Sequence, residues 1–232
     1  MKEEYLPYLT PTSVIDSDHP SIMDYARTTI QGIEDPVEMA VHLYLAVRDG
    51  ILYDPYSPFY LPEHYRASYV LKRGRSFCVP KVSLLCALAR ACGIPSRVGL
   101  ADVRNHLTTK QLIEFMGSDL FVCHGFAELY LEGKWVKATP AFNKELCEKH
   151  HVPPLEFNGR EDSLFQPYNS KKQKFMEYVA FRGVYADVPV GEVVDAWKQA
   201  YGKDRINYWI KGLEEAKGSS LSDFEKEEVL EE

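Results

Sequence analysis

Residues 74–95 read Gly74-Arg-Ser-Phe-Cys78-Val-Pro-Lys-Val-Ser-Leu-Leu-Cys86-Ala-Leu-Ala-Arg90-Ala-Cys92-Gly-Ile-Pro95. Within 79–92 the apolar positions Val82, Leu85, Cys86, Ala89 and Cys92 recur every three or four residues, and Leu84 and Leu88 widen the stripe. That spacing predicts a central, mostly buried helix. Gly93 suits a left-handed C-terminal cap, and Pro95 prevents continuation. Cys78 then sits at or just before the first turn, where unpaired backbone N–H groups and the positive end of the helix dipole favour a thiolate. The same donors are placed to hold an oxyanion. The bland alternative for a single cysteine is a small apolar core residue, a role that Cys86, Cys92 and Cys123 fit well.

On the amino side, Asp35–Asp49 carries Pro36 at a first helical position and apolar residues at helical spacing, so a helix is expected, ended by Gly50. Ile51-Leu-Tyr-Asp54 follows as a short extended piece leading into a Pro- and Tyr-rich loop over 55–62. On the carboxyl side a strand is expected over 96–101, a short helix over 108–116 and a second strand over 119–131. Glu132-Gly133 makes a two-residue turn into Lys134-Trp-Val-Lys-Ala-Thr139. With Leu131 opposite Lys134, Tyr130 faces Trp135, Glu128 faces Lys137 and Phe126 faces Thr139. Thr139 becomes a diagonal neighbour of His124. Extending the ladder would bring Asn143 near His124 as well, but Pro140 weakens that extension because it cannot donate to the ladder. A histidine on a strand beside a helix-start cysteine can lower the thiol pKa and pass its proton to a leaving amine.

The 232 residues are 45% hydrophobic, enough for one sizeable core. Net charge is -7 and no Lys/Arg run forms a stripe, so an electrostatic grip on nucleic acid is not expected. No stretch has the uncharged length of a bilayer span, and the acidic amino end does not read as a signal peptide; the expectation is a cytoplasmic protein without membrane contact. Five cysteines without a Cys-x-x-Cys pair indicate reduced thiols. His150-His151 has no third ligand at useful spacing, so no metal and no cofactor are expected.

The run from about Ile51 to Pro140 resembles the transglutaminase-like superfamily, the papain-related group of cysteine transglutaminases, peptidases and deamidases. The resemblance is carried by Ile51-Leu-Tyr-Asp54, by Cys78 opening a helix that ends Gly93-Ile-Pro-Ser-Arg-Val98, and by His124-Gly-Phe-Ala-Glu opening a hairpin whose return strand reads Trp135-Val-Lys-Ala-Thr-Pro140. It implies an α+β fold with the cysteine-bearing helix packed on an antiparallel sheet, Cys78 as nucleophile and His124 as general base. Thr139 stands where the family has the aspartate that orients the histidine. A threonine hydroxyl can fix the tautomer but brings no charge to an imidazolium. Asn143 and Asp102 are the alternatives for that role. Asp102, His106 and Trp135 are candidates for lining the substrate cleft, and Lys81 and Arg97 for a substrate carboxylate or an ordinary salt bridge. Residues 154–165 resemble a segment found in a bacterial subgroup of the superfamily; they either cover the cleft mouth or pack as a loop.

The expected organisation is a single domain over 1–212, with core motifs in 51–143 and an extension over 144–212. That extension holds a strand-like 175–181 and one helix over 192–211, and an acidic, disordered tail occupies 213–232. The leading functional expectation is a cysteine-dependent amide hydrolase or acyltransferase acting on a peptide or protein amide through an acyl-enzyme. The rivals are a catalytically inactive binding module on the same fold, and a redox-sensing thiol at Cys78, for which no resolving cysteine is apparent.

Overall fold

The structure is a computed structural model that describes residues 3–106, 108–149, 151–168 and 172–227. Helices α1 (Pro20–Thr29), α2 (Pro36–Gly50), α3 (Ala67–Arg73) and α4 (Cys78–Ala91) build the amino-terminal half. Two short strands, β1 (Leu52–Tyr53) and β2 (Arg75–Ser76), pair in parallel just before α4. Strand β3 (Ser96–Asn105), helix α5 (Lys110–Met116), strands β4 (Leu120–Leu131) and β5 (Lys134–Ala138), helix α6 (Lys144–Lys149), strand β6 (Met176–Tyr185) and helices α7 (Val190–Tyr201) and α8 (Lys203–Glu215) follow. The larger sheet has the order β5-β4-β3-β6 and is antiparallel throughout. Helix α4 packs on it with every residue from Val79 to Arg90 buried. The expected α+β architecture, a cysteine-bearing helix on an antiparallel sheet, is the one observed.

Local chemistry explains the element ends. Asp35 caps α2 by accepting the Glu38 N–H at 3.0 Å, with Pro36 in the first turn. Gly93 takes φ +75 after α4. Glu132 and Gly133 both have positive φ, the mark of a type I′ turn, and the pairs Leu131–Lys134, Tyr130–Trp135 and Glu128–Lys137 form in the expected register. The ladder stops at Ala127–Ala138, one pair short of Thr139, and Ala138 bridges to Ser163 instead.

Two expectations in the extension are corrected. The single helix over 192–211 is broken into α7 and α8 at Gly202, whose φ of +94 lies outside helical backbone. The acidic tail is packed over its described part: the Leu221 N–H donates to Tyr56 O at 3.2 Å, Phe224 is buried, and the Glu227 carboxylate accepts from Tyr56 and Thr109 at 2.6 and 2.5 Å. Residues 228–232 lie outside the described residues.

One irregularity sets the upper end of β4. Cys123 has φ +58, costly for a residue with a Cβ, and the β3–β4 register shifts between Ala101 and Val103. The Asp102 carboxylate holds this bulge, accepting the Cys123 N–H at 3.0 Å while gripping Arg182 of β6 through two bonds at 2.5 and 2.8 Å. Asp102→Ala, which strips the buried Cys123 N–H of its acceptor, is expected to cost about 1–3 kcal/mol in chemical denaturation. Asp102→Asn, which keeps an acceptor, is expected to cost less.

Candidate active site

Cys78 is the first residue of α4 and is only partly buried. His124, in β4, is buried, and both residues line one cavity with Phe77, Cys123 and Tyr53. Gly125 makes the approach possible. A Cβ there would lie 2.9 Å from the Val79 Cα and 3.2 Å from its nitrogen, so any other side chain would push β4 off the start of α4. The backbone N–H groups of Gly125, Val79 and Cys78 itself all favour the ionised form of the Cys78 thiol.

The electrostatics run against the helix-start expectation. Burial pushes the Cys78 thiol up to about 11, although those N–H groups and the Lys81 ammonium pull it down. Burial likewise drives His124 down to about 3. At neutral pH the resting site is therefore a neutral thiol beside a neutral imidazole, not an ion pair, because desolvation outweighs the helix terminus.

Six buried side-chain polar atoms among the described residues lack a hydrogen-bond partner; three of them are His124 Nε2, Thr139 Oγ1 and the Tyr178 hydroxyl. The Tyr178 ring lies 6.3 Å from the His124 ring, and its hydroxyl lies beside the Thr139 hydroxyl and the Phe165 backbone without reaching hydrogen-bond geometry. Phe165 covers the imidazole at 5.1 Å and packs on Phe142 and Phe175. Of segment 154–165, its last residue thus covers the histidine. Tyr178 was not legible in sequence: it sits in an exposed edge strand, and only the β3–β6 pairing brings it here.

The other candidates lie elsewhere. Asn143 is buried, but its Oδ1 accepts the Tyr53 N–H at 3.1 Å and its Nδ2 donates to Glu145, so it ties the β1 strand to the start of α6 and does not meet His124. Asp102 is spent on Arg182 and the bulge. His106 meets Glu177 at 3.2 Å on the rim of β6, away from the cavity. Trp135 makes edge-on ring contacts with Tyr5, Tyr8 and Tyr130 at the turn end of the hairpin, with the Arg97 guanidinium 4.1 Å from its ring centre. Arg97 makes the ordinary salt bridge, to Glu128 at 2.6 Å. Lys81 binds neither a carboxylate nor solvent: its ammonium donates to the Arg48 and Ile51 carbonyls at the end of α2, and burial pulls it down to about 7. Of the metal candidates, His150 lies outside the described residues.

Two measurements check the neutral pair. Alkylation of Cys78 by iodoacetamide, followed by peptide mass, is expected to rise about tenfold per pH unit from pH 6 to 9 without a plateau, since a thiol with a raised pKa is still gaining thiolate there. Between the ordinary histidine value of 6.5 and the folded value of about 3, the unfolded chain holds a proton at His124 that the folded chain lacks. His124 therefore contributes stability above pH 6.5 that is lost as the pH falls toward 3, at up to about 1.4 kcal/mol per pH unit. His124→Gln is expected to flatten the acid side of a stability–pH curve by about one proton's slope.

Comparison with known proteins bears on this arrangement. A model of the transglutaminase-like superfamily matches residues 23–140, a stretch that contains Cys78, His124 and Thr139. Among solved structures, a candidate cysteine protease from Cytophaga hutchinsonii is similar over 80% of this chain and 55% of its own, with 15% identity and a TM-score of 0.48. A candidate protease from Parabacteroides distasonis is similar over 55% of this chain and 26% of its own, with 15% identity and a TM-score of 0.37. The chain thus spans about half the length of the first and a quarter of the second. No curated protein matches, and no helix among the described residues is long and apolar enough to cross a membrane. With half of its length matched by the family model, and with a helix-start cysteine and a histidine of an antiparallel hairpin lining one cavity, the chain belongs to the transglutaminase-like superfamily.

Proposed function

We propose that the protein is a cysteine-dependent amide hydrolase or acyltransferase acting on peptide or protein amides, with Cys78 as nucleophile and His124 as the proton carrier. The observation that carries this reading is the cavity lined by both side chains, set by the close approach of Gly125 to Val79 at the start of α4. From a neutral resting pair, the imidazole takes the thiol proton as sulfur attacks the amide carbonyl, so no thiolate need accumulate beforehand. The tetrahedral oxyanion is held by backbone N–H groups at the start of α4 and at Gly125. Its collapse breaks the C–N bond, the imidazolium returns the proton to the leaving amine, and the thioester left on Cys78 passes to water or to a second amine.

We assign the orienting role to the hydroxyls of Thr139 and Tyr178, which like His124 Nε2 are buried without a hydrogen-bond partner, the Tyr178 ring lying 6.3 Å from the imidazole. Either can accept from the imidazole N–H and fix its tautomer, but neither supplies the charge of a carboxylate. That deficit favours one rival reading, a binding module on the same fold.

Cys78→Ala separates the two: turnover of an activated peptide amide is lost if the site is catalytic, whereas peptide binding without turnover in the wild type would leave the binding module standing. Thr139→Val and Tyr178→Phe are each expected to reduce kcat about tenfold, the worth of one hydrogen bond in the transition state. Asn143→Ala is expected to lower stability and leave the pH profile of turnover in place.

A further inference from the structure

The cavity beside Cys78 extends away from the Thr139–Tyr178 side of the imidazole into a space walled by Phe115 of α5, Trp197 and Tyr201 of α7, Trp209 of α8, and Leu221. Four of its polar side chains are already spent. The Trp197 indole donates to Val122 O at 2.7 Å, and the Tyr201 hydroxyl accepts the Val122 N–H at 2.7 Å and donates to Leu120 O. Tyr56 donates to Glu227, and Ser57 to Asp54. A charged or hydrogen-bonding group entering here would lose its water and find few partners, whereas an apolar group would gain from leaving water.

We infer that this cavity is a specificity pocket for a short, uncharged aliphatic group on the acyl side of the substrate, of the size of a leucine side chain or an isovaleryl chain. The inference rests on the reading of Cys78 as nucleophile, since it places the acyl carbon at that sulfur. Size follows from the cavity volume of about 50 Å³, well below the roughly 150 Å³ of a cavity that takes up benzene. Its wall is stiff, because Phe115 and Trp209 stack at 4.1 Å and 6° and Trp197 packs on Phe59 and Phe77. Trp197, Tyr201, Trp209 and Leu221 all lie beyond residue 140, outside the stretch matched by the family model. The extension thus adds walls to a pocket whose other walls, Phe115 among them, belong to the matched stretch.

The test uses p-nitrophenyl esters. In the acylation step the Cys78 sulfur bonds to the acyl carbon, the bond to the nitrophenolate oxygen breaks, and the thiol proton leaves through His124 to solvent or the phenolate. Acetyl, isovaleryl, 3-phenylpropionyl and succinyl esters are compared by nitrophenol release and by the mass added to Cys78. Each buried methylene adds about fourfold, so the isovaleryl ester is expected to acylate at least tenfold faster than acetyl, with phenylpropionyl and succinyl slower than isovaleryl. Leu221→Ala, at a half-buried position on the pocket wall, is expected to shift the optimum to a hexanoyl chain. Equal rates within threefold, or a preference for succinyl, overturn the inference while leaving the nucleophile in place. In parallel, isovaleramide and succinamate are titrated against Cys78→Ala protein by tryptophan fluorescence, read from Trp197 and Trp209. Isovaleramide binding without any acylation of the wild type would sink the nucleophile reading and leave an aliphatic pocket. Absence of both sinks the two together.

Discussion

The close approach of Gly125 to Val79 is the contact on which the site depends. Helix α4 is buried from Val79 to Arg90, so its position is fixed by packing on every side. Strand β4 can bring a histidine to that helix's first residue only if the strand backbone comes nearly into contact with the helix backbone, and only glycine leaves room for it. From this one contact follow the shared cavity of Cys78 and His124 and the Gly125 backbone dipole that favours the thiolate from the sheet side.

Burial then decides the charge state. The start of a helix ordinarily favours an anion, yet Cys78 is held up and His124 held down because both are enclosed by apolar side chains, Phe165 among them. A buried imidazolium without a carboxylate would be costly, and at the position of the family's aspartate this chain offers only the Thr139 hydroxyl, with Tyr178 beside it. The neutral imidazole and the missing carboxylate are two sides of the same arrangement. The one carboxylate in the neighbourhood that looked available, Asp102, is occupied in holding the Cys123 bulge through Arg182.

The extension beyond the family's matched stretch does more than cover a surface. Where β5 ends, the Leu120 and Val122 backbone of β4 is satisfied by side chains of α7, through Trp197 and Tyr201 in place of a neighbouring strand. The same two side chains wall the cavity, and the packed segment to Glu227 adds Leu221. Buried polar groups that must find partners have thereby left an interior lined almost wholly by apolar atoms.

Sequence alone determined what depends on neighbours along the chain or across a tight turn. The α4 periodicity with its Gly93 cap, the Asp35-Pro36 start of α2 and the Glu132-Gly133 register are local, and each was legible. That Cys78 and His124 line one cavity agrees with what the resemblance to the family implies. What only the tertiary structure decided involves groups far apart in sequence: Phe165 over the imidazole, Tyr178 beside Thr139, Asn143 bound to Tyr53, and the docked segment 213–227. Charge state belongs to that second group too. Desolvation is a property of everything that surrounds a side chain, so a helix start read from sequence gives the sign of one contribution, and the enclosing core sets the sum.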